Sequence, residues 1–240
     1  MKIRFENLRL KWLVVKAIAI IGFPTFALQI TGSIQQLILN RSLSDLGGDL
    51  SLVAVGIIMS IVTFLVMPAM GISQGAQPII GFNYGAKHFG RIKDTLKLSI
   101  LSATCIVTIG FLISKIWPTQ LIMLFNDNPE LVQLGTHAMG IFFKFLPLIG
   151  VQMISSSYFQ AIGKPNQATL LGLSRQVLIF IPLLIVLPRY FGLEGVWWSA
   201  PLSDLGAFAL TGIWLWLEMK NLSKNEELKQ GKLKKVDLGH

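Results

Sequence analysis

Three ionisable side chains, Lys144, Arg175 and Asp204, stand inside long uncharged runs, where a formal charge survives only if it is paired or hydrated. Arg175 lies eight residues after Gln167, and Asp204 lies nine after Gly195. At about 1.5 Å per helical residue, the two reach similar depths from opposite ends of their runs. Neighbouring antiparallel helices therefore bring guanidinium to carboxylate, a pairing that neutralises both. Two uses follow: a structural clamp, or a carboxylate that alternates between Arg175 and a proton or cationic solute. Lys144 either snorkels outward or faces the same cavity.

Uncharged polar residues form a second constellation. Gln29, Gln36 and Asn40 are spaced by seven and four, so they share one helical face. Amides in a row suit interhelical hydrogen bonds or a wet cavity for a polar solute. Gln152, with Ser155 and Ser156, admits the same two readings. The run from Gly71 to Ala86 has neither the lysine-ended phosphate loop nor a dinucleotide fingerprint. Its pairs Gly71/Gly75 and Gly81/Gly85 instead permit close helix contact, and Pro24, Pro68 and Pro78 supply places to bend. We expect a packing and hinge element there. No Ser/His/Asp set or carboxylate pair shares a depth, so an enzyme is not expected. His88, His137 and His240 are scattered and Cys105 is the lone cysteine, so neither a metal site nor an intrachain disulfide is expected.

The elements that must position these groups are legible in composition. The chain is 52% hydrophobic and 14% charged, well short of the roughly 25% charged residues of soluble domains. Six apolar blocks, residues 12–40, 50–86, 96–117, 136–160, 167–187 and 195–217, are each long enough for the roughly 20 residues that cross hydrocarbon. The second would measure about 55 Å as one helix against a core about 30 Å thick, so it must tilt, break or project. Short connections, such as 41–49 and 163–166, force neighbours to be antiparallel. The expected fold is an all-α, polytopic bundle of six transmembrane helices without a soluble domain.

The formal charge of +9 is distributed as a topology signal, not as a nucleic-acid footprint. Seventeen Lys and Arg fall on one side of the six blocks, while Arg41, Lys115 and Arg189 fall on the other. Both termini are therefore expected in the cytoplasm, with the protein in the cell (inner) membrane. The basic start superficially resembles a secretory signal, but uncharged sequence runs on to Asn40 without a small-residue cleavage site, so a retained first helix is expected. The organisation expected is a basic connector over 1–16, a six-helix lobe over 17–217 and a basic tail over 218–240 beside an anionic leaflet.

Several ordered motifs carry a family resemblance across residues 22–217. They are Gly22-Phe23-Pro24 with Asn40, the Gly71 to Ala86 run, Phe159-Gln160-Ala161-Ile162-Gly163, Arg175-Gln176-Val177, Ile181-Pro182 with Leu187-Pro188, and Pro201-Leu202-Ser203-Asp204. With these the sequence resembles the MATE (multidrug and toxic compound extrusion) family, especially its bacterial multidrug-export branch. The resemblance implies one C-terminal six-helix lobe of a twelve-helix transporter, whose two lobes are related by a pseudo-twofold along the membrane normal. It implies export of organic cations by alternating access, with a proton or sodium as coupling ion and no other cofactor. The implied partners are the bilayer, a drug and a second six-helix lobe, either an N-terminal half or another copy. Asp204 matches the recurring acid of the last helix. The carboxylates that sodium-linked members place on the first and fourth helices have no match, since Gln29 and Lys144 stand in those segments. A flippase for a lipid-linked precursor, or a non-transporting membrane fragment, are the alternatives.

Overall fold

A computed structural model describes residues 12–237, so the first eleven residues of the expected basic connector and the last three of the tail lie outside the described residues. The expectation placed on Pro24 falls outside the described side chains, as do the tail lysines from Lys224 onward. Helix α1 (Trp12–Gly85) is interrupted at one point, Gly48, whose φ of 63° and ψ of −163° lie outside helical space. Such a φ is open to glycine at little steric cost. The chain doubles back there: Gln35 and the pair Met59 and Val62 line one cavity, although a straight helix would hold Gln35 and Met59 about 36 Å apart.

The expected connector 41–49 is thus helical on both sides of a single glycine. Charge marks where the chain leaves the apolar layer, not where the helix stops, and Arg41 and Asp45 sit one turn apart within it at 3.9 Å. Past Gly48 the helix continues through Pro68 and Pro78 without another non-helical residue. The break expected at those prolines does not occur.

Helix α2 (Phe89–Ile116) returns across the lobe, and a short α3 (Pro118–Met123) leads to α4 (Pro129–Phe142). The Asn128 side chain caps α4, accepting the Glu130 and Leu131 backbone N–H groups at 2.9 and 3.2 Å. A turn over 143–147 separates α4 from α5 (Leu148–Ala161), so the segment containing Lys144 and Pro147 is a broken pass that begins earlier than expected, at Pro129. Helix α6 (Pro165–Leu173) runs through a π-helical stretch, Ser174–Phe180, into α7 (Ile181–Phe191). Helix α8 (Leu193–Asp237) closes the bundle.

Among the described residues four helical stretches are long and apolar enough to cross a membrane: Phe26–Gly85, Phe89–Ile116, Gln167–Phe191 and Leu193–Ser223. The first doubles at Gly48, and α4 with α5 makes a broken sixth pass. The fold is the expected polytopic helical bundle.

Packing without a water-driven hydrophobic effect favours small residues at close crossings. A Cβ on Gly150 would lie 2.9 Å from the Thr104 backbone nitrogen, so α5 lies directly on α2. One on Gly81 would lie 3.1 Å from the Ala161 carbonyl oxygen. Gly71, Gly75 and Gly85 have no neighbour within 4 Å of that position, so of the four glycines expected to pack only Gly81 does so among the described residues. The others face open space, where nothing in the lobe requires a small residue. Helix α8 is held by aromatic edges, Phe142 on Trp197 at 5.9 Å and Phe159 on Trp214 at 6.3 Å. Polar contacts also tie it, His137 Nε2 to Glu194 Oε1 at 2.5 Å in its first turn and the Lys164–Glu218 ion pair at 2.8 Å midway along it.

Candidate functional site

Arg175 and Asp204 meet as their depths require. The guanidinium Nη2 lies 2.5 Å from Asp204 Oδ1, joining the π-helical stretch to α8. The two differ in exposure: the Asp204 side chain is 6% exposed and that of Arg175 is 41% exposed. Breaking such a pair leaves an uncompensated buried charge, so the contact is costly to open unless another cation replaces the guanidinium. Gln152 on α5 braces the acid's own backbone, its Nε2 donating to the Asp204 carbonyl at 2.7 Å.

The π-helical stretch has a local cause. Pro182 has no N–H to give, and its ring would clash with the carbonyl of residue 178 in a regular α-helix. The chain responds by widening: the Ile181 N–H reaches the Gln176 carbonyl, five residues back. Arg175 sits in that widened stretch, with its guanidinium turned to Asp204 on α8.

Two cavities adjoin the ion pair, and Arg175 and Ile149 line both. The larger, about 380 Å³, is walled by the second half of α1, by α5, α6 and α8, and by Arg175. Its polar lining includes Ser73, Gln74, Gln77, Gln152 and Gln160, and the Ser73 and Ser157 hydroxyls share a hydrogen bond of 2.5 Å across it. The smaller, about 160 Å³, is lined by Gln35, Gln176 and Asp204 among apolar neighbours. The buried Oε1 atoms of Gln35 and Gln176 have no hydrogen-bond partner among the described residues.

The other expected site residues are placed differently. Gln29, Gln36 and Asn40 are not drawn into the site: Gln36 Nε2 donates to Asn40 Oδ1 at 3.0 Å on an exposed surface, so the shared face is real but lines neither cavity. The neighbouring Gln35 faces inward because it continues the face of the buried Leu39 and Leu43. Lys144 also lines neither cavity. It lies over the Trp198 ring, 4.4 Å from the centroid, because the turn between α4 and α5 points it to α8's aromatic surface. Sequence reasoning missed Gln35, Gln74, Gln77, Gln160 and Gln176. Glutamine inside apolar blocks was the available signal, but the face each one takes was not.

Comparison with known proteins places this geometry in a family. A family model described as MatE matches residues 24–186. The multidrug export protein MepA of Staphylococcus haemolyticus is 29% identical over 184 residues, covering 77% of this chain and 40% of that protein. MepA of Staphylococcus saprophyticus is 28% identical over the same length. The chain therefore spans about 40% of the length of these curated relatives. Among solved structures, the MATE multidrug transporter DinF-BH is 38% identical, with a TM-score of 0.76 over 89% of this chain and 48% of that one. An inward-facing MATE family transporter of the MOP superfamily superposes with a TM-score of 0.83 at 20% identity over 92% of this chain and 51% of that one, a likeness of fold alone.

Proposed function

Because the chain belongs to the MatE family, we propose that it works as the C-terminal lobe of a multidrug efflux transporter, exporting organic cations by cation-coupled antiport. The observation that carries this reading is the Arg175–Asp204 pair at the junction of two cavities, one of them large enough for part of a drug-sized ligand. Asp204 is the group that exchanges partners. When a proton or sodium ion takes the carboxylate, Arg175 is released, and the contact between the π-helical stretch and α8 loosens. Occupancy of one side chain thereby biases which face of the lobe is open, the requirement for alternating access. The unpartnered amide oxygens of Gln35 and Gln176 beside Asp204 support this role, as acceptors for an ion or a water.

A second six-helix lobe completes the transporter in this reading, either an N-terminal half or another copy of the chain. Exposed amides at Gln29, Gln36 and Asn40 and the open glycines Gly71 and Gly75 support it, because polar side chains are poorly suited to hydrocarbon and small residues admit a close neighbour. Both termini lie in the cytoplasm of a cell (inner) membrane in this reading, with residues 17–217 as the lobe between a basic connector and a basic tail. The one-sided distribution of Lys and Arg supports that orientation.

The test is drug accumulation in cells that express the chain with its complementary lobe. Asp204→Asn is expected to raise accumulation to the level of cells lacking the transporter and to flatten its dependence on external pH. Unchanged efflux with unchanged pH dependence removes Asp204 from the mechanism.

A further inference from the structure

The larger cavity has a charge character of its own. Among its described lining residues Arg175 is the single charged one, and the others are amides, hydroxyls and apolar groups. Asp204 lines only the smaller cavity, and its carboxylate is nearly enclosed. A ligand in the larger cavity therefore meets the guanidinium and not the carboxylate. The ion pair is made through Nη2, and a guanidinium carries five N–H donors in a planar fork, so that contact does not use up the donors of a side chain that also lines the larger cavity. Around the fork, Gln74, Gln77, Gln152 and Gln160 offer amide groups, while Met70 and Met153 offer adaptable apolar wall.

Asp204 offsets the guanidinium charge from behind, so the larger cavity meets the donor face of the pair, and an unadorned organic cation would gain no charge-assisted contact from it. A carboxylate or phosphate would gain charge-assisted hydrogen bonds from that donor face. We propose that this lobe binds an amphiphile by its anionic group, a carboxylate or a phosphate, seated on Arg175 with the hydrocarbon part against Met70 and Met153. The inference rests on the transport reading and narrows it: the exported cation also carries an acid group, as a zwitterion, and this lobe recognises that end.

A matched pair of dyes tests it, a rhodamine ethyl ester and its free acid, which share one ring system and differ in the carboxylate. Each is titrated, by fluorescence polarisation, against the full chain in phosphatidylcholine nanodiscs. The free acid is expected to bind about tenfold more tightly than the ester, the size of one charge-assisted hydrogen-bonded contact. Arg175→Gln alone strands a buried carboxylate, so the informative variant is Arg175→Gln with Asp204→Asn, which keeps shape and removes both charges. In it the two dyes are expected to bind alike. Equal or tighter binding of the ester to the wild type, or a preference that survives in the double variant, overturns the inference and leaves the transport reading standing. Binding of neither dye also overturns it, while the Asp204→Asn efflux experiment decides the transport reading separately. Repeating the titration with phosphatidylglycerol in the nanodisc distinguishes the sources of the acid group. Displacement of the free acid by that lipid marks a headgroup as the occupant, undisturbed binding marks a soluble ligand, and both keep the shared chemistry.

Discussion

Gln35 and Gln36 are adjacent in sequence, yet one shares a cavity with Asp204 and the other stands exposed, bonded to Asn40. Their difference shows what the amino-acid pattern could and could not convey. In a soluble helix, apolar periodicity marks the buried face. Here the lipid-facing side is apolar too: Ile30, Ile34 and Leu37 are exposed, while Leu39 and Leu43 are buried. Spacing could say that Gln29, Gln36 and Asn40 share a face, but not that the face is the outer one. Arg175 and Asp204 were legible because unpaired charges have so few acceptable places at that depth that similar depth on adjacent helices nearly fixes the partner. Lys144 had an aromatic neighbour, Trp198, that no depth argument singles out, and its position was not determined. The consequence is a contrast between neighbours. Gln35→Leu is expected to lower dye efflux about tenfold by removing an acceptor beside Asp204. Gln36→Leu is expected to leave efflux within about twofold, as surface changes usually do. Equal losses in the two variants would place the working face elsewhere.

At the scale of the elements, the number of passes was readable and their ends were not. Length and hydropathy are summed over about 20 residues, so they survive local detail. A helix end depends on one or two residues, and charged segments such as 41–47 remain helical until Gly48 supplies the turn. The break in the fourth segment was legible because Lys144 and Pro147 together spoil an apolar helix, whereas Pro68 and Pro78 left no break. Pro182 acts differently again, widening Ser174–Phe180 rather than stopping it. That widening sets the register of Arg175 relative to α8. Pro182→Ala restores the missing donor and lets the stretch return to α-helical pitch, which turns the guanidinium off Asp204. Efflux is expected to fall by about tenfold or more, with normal amounts of protein in the membrane, since small misplacements of a working group are costly. Wild-type efflux in Pro182→Ala would show that the widened stretch does not position Arg175.

For the whole molecule, the salient fact is that a six-pass bundle accounts for 48% of the matched chain of DinF-BH and about 40% of the curated MepA relatives. The lobe has its own core, yet it leaves amides exposed and Gly71, Gly75 and Gly85 facing open space, features that a second lobe would cover or hydrate. The ion pair lies between two cavities of this bundle, so the proposed switch is intrinsic to the lobe even if, as proposed, a second lobe completes the transporter. The most direct measurement reconstitutes the chain with its complementary lobe in sealed proteoliposomes and follows uptake of a rhodamine dye when an opposing proton or sodium gradient is imposed. The account predicts that the gradient drives accumulation by the wild type and that Asp204→Asn shows only downhill leak. Gradient-driven accumulation by Asp204→Asn at the wild-type rate would contradict it.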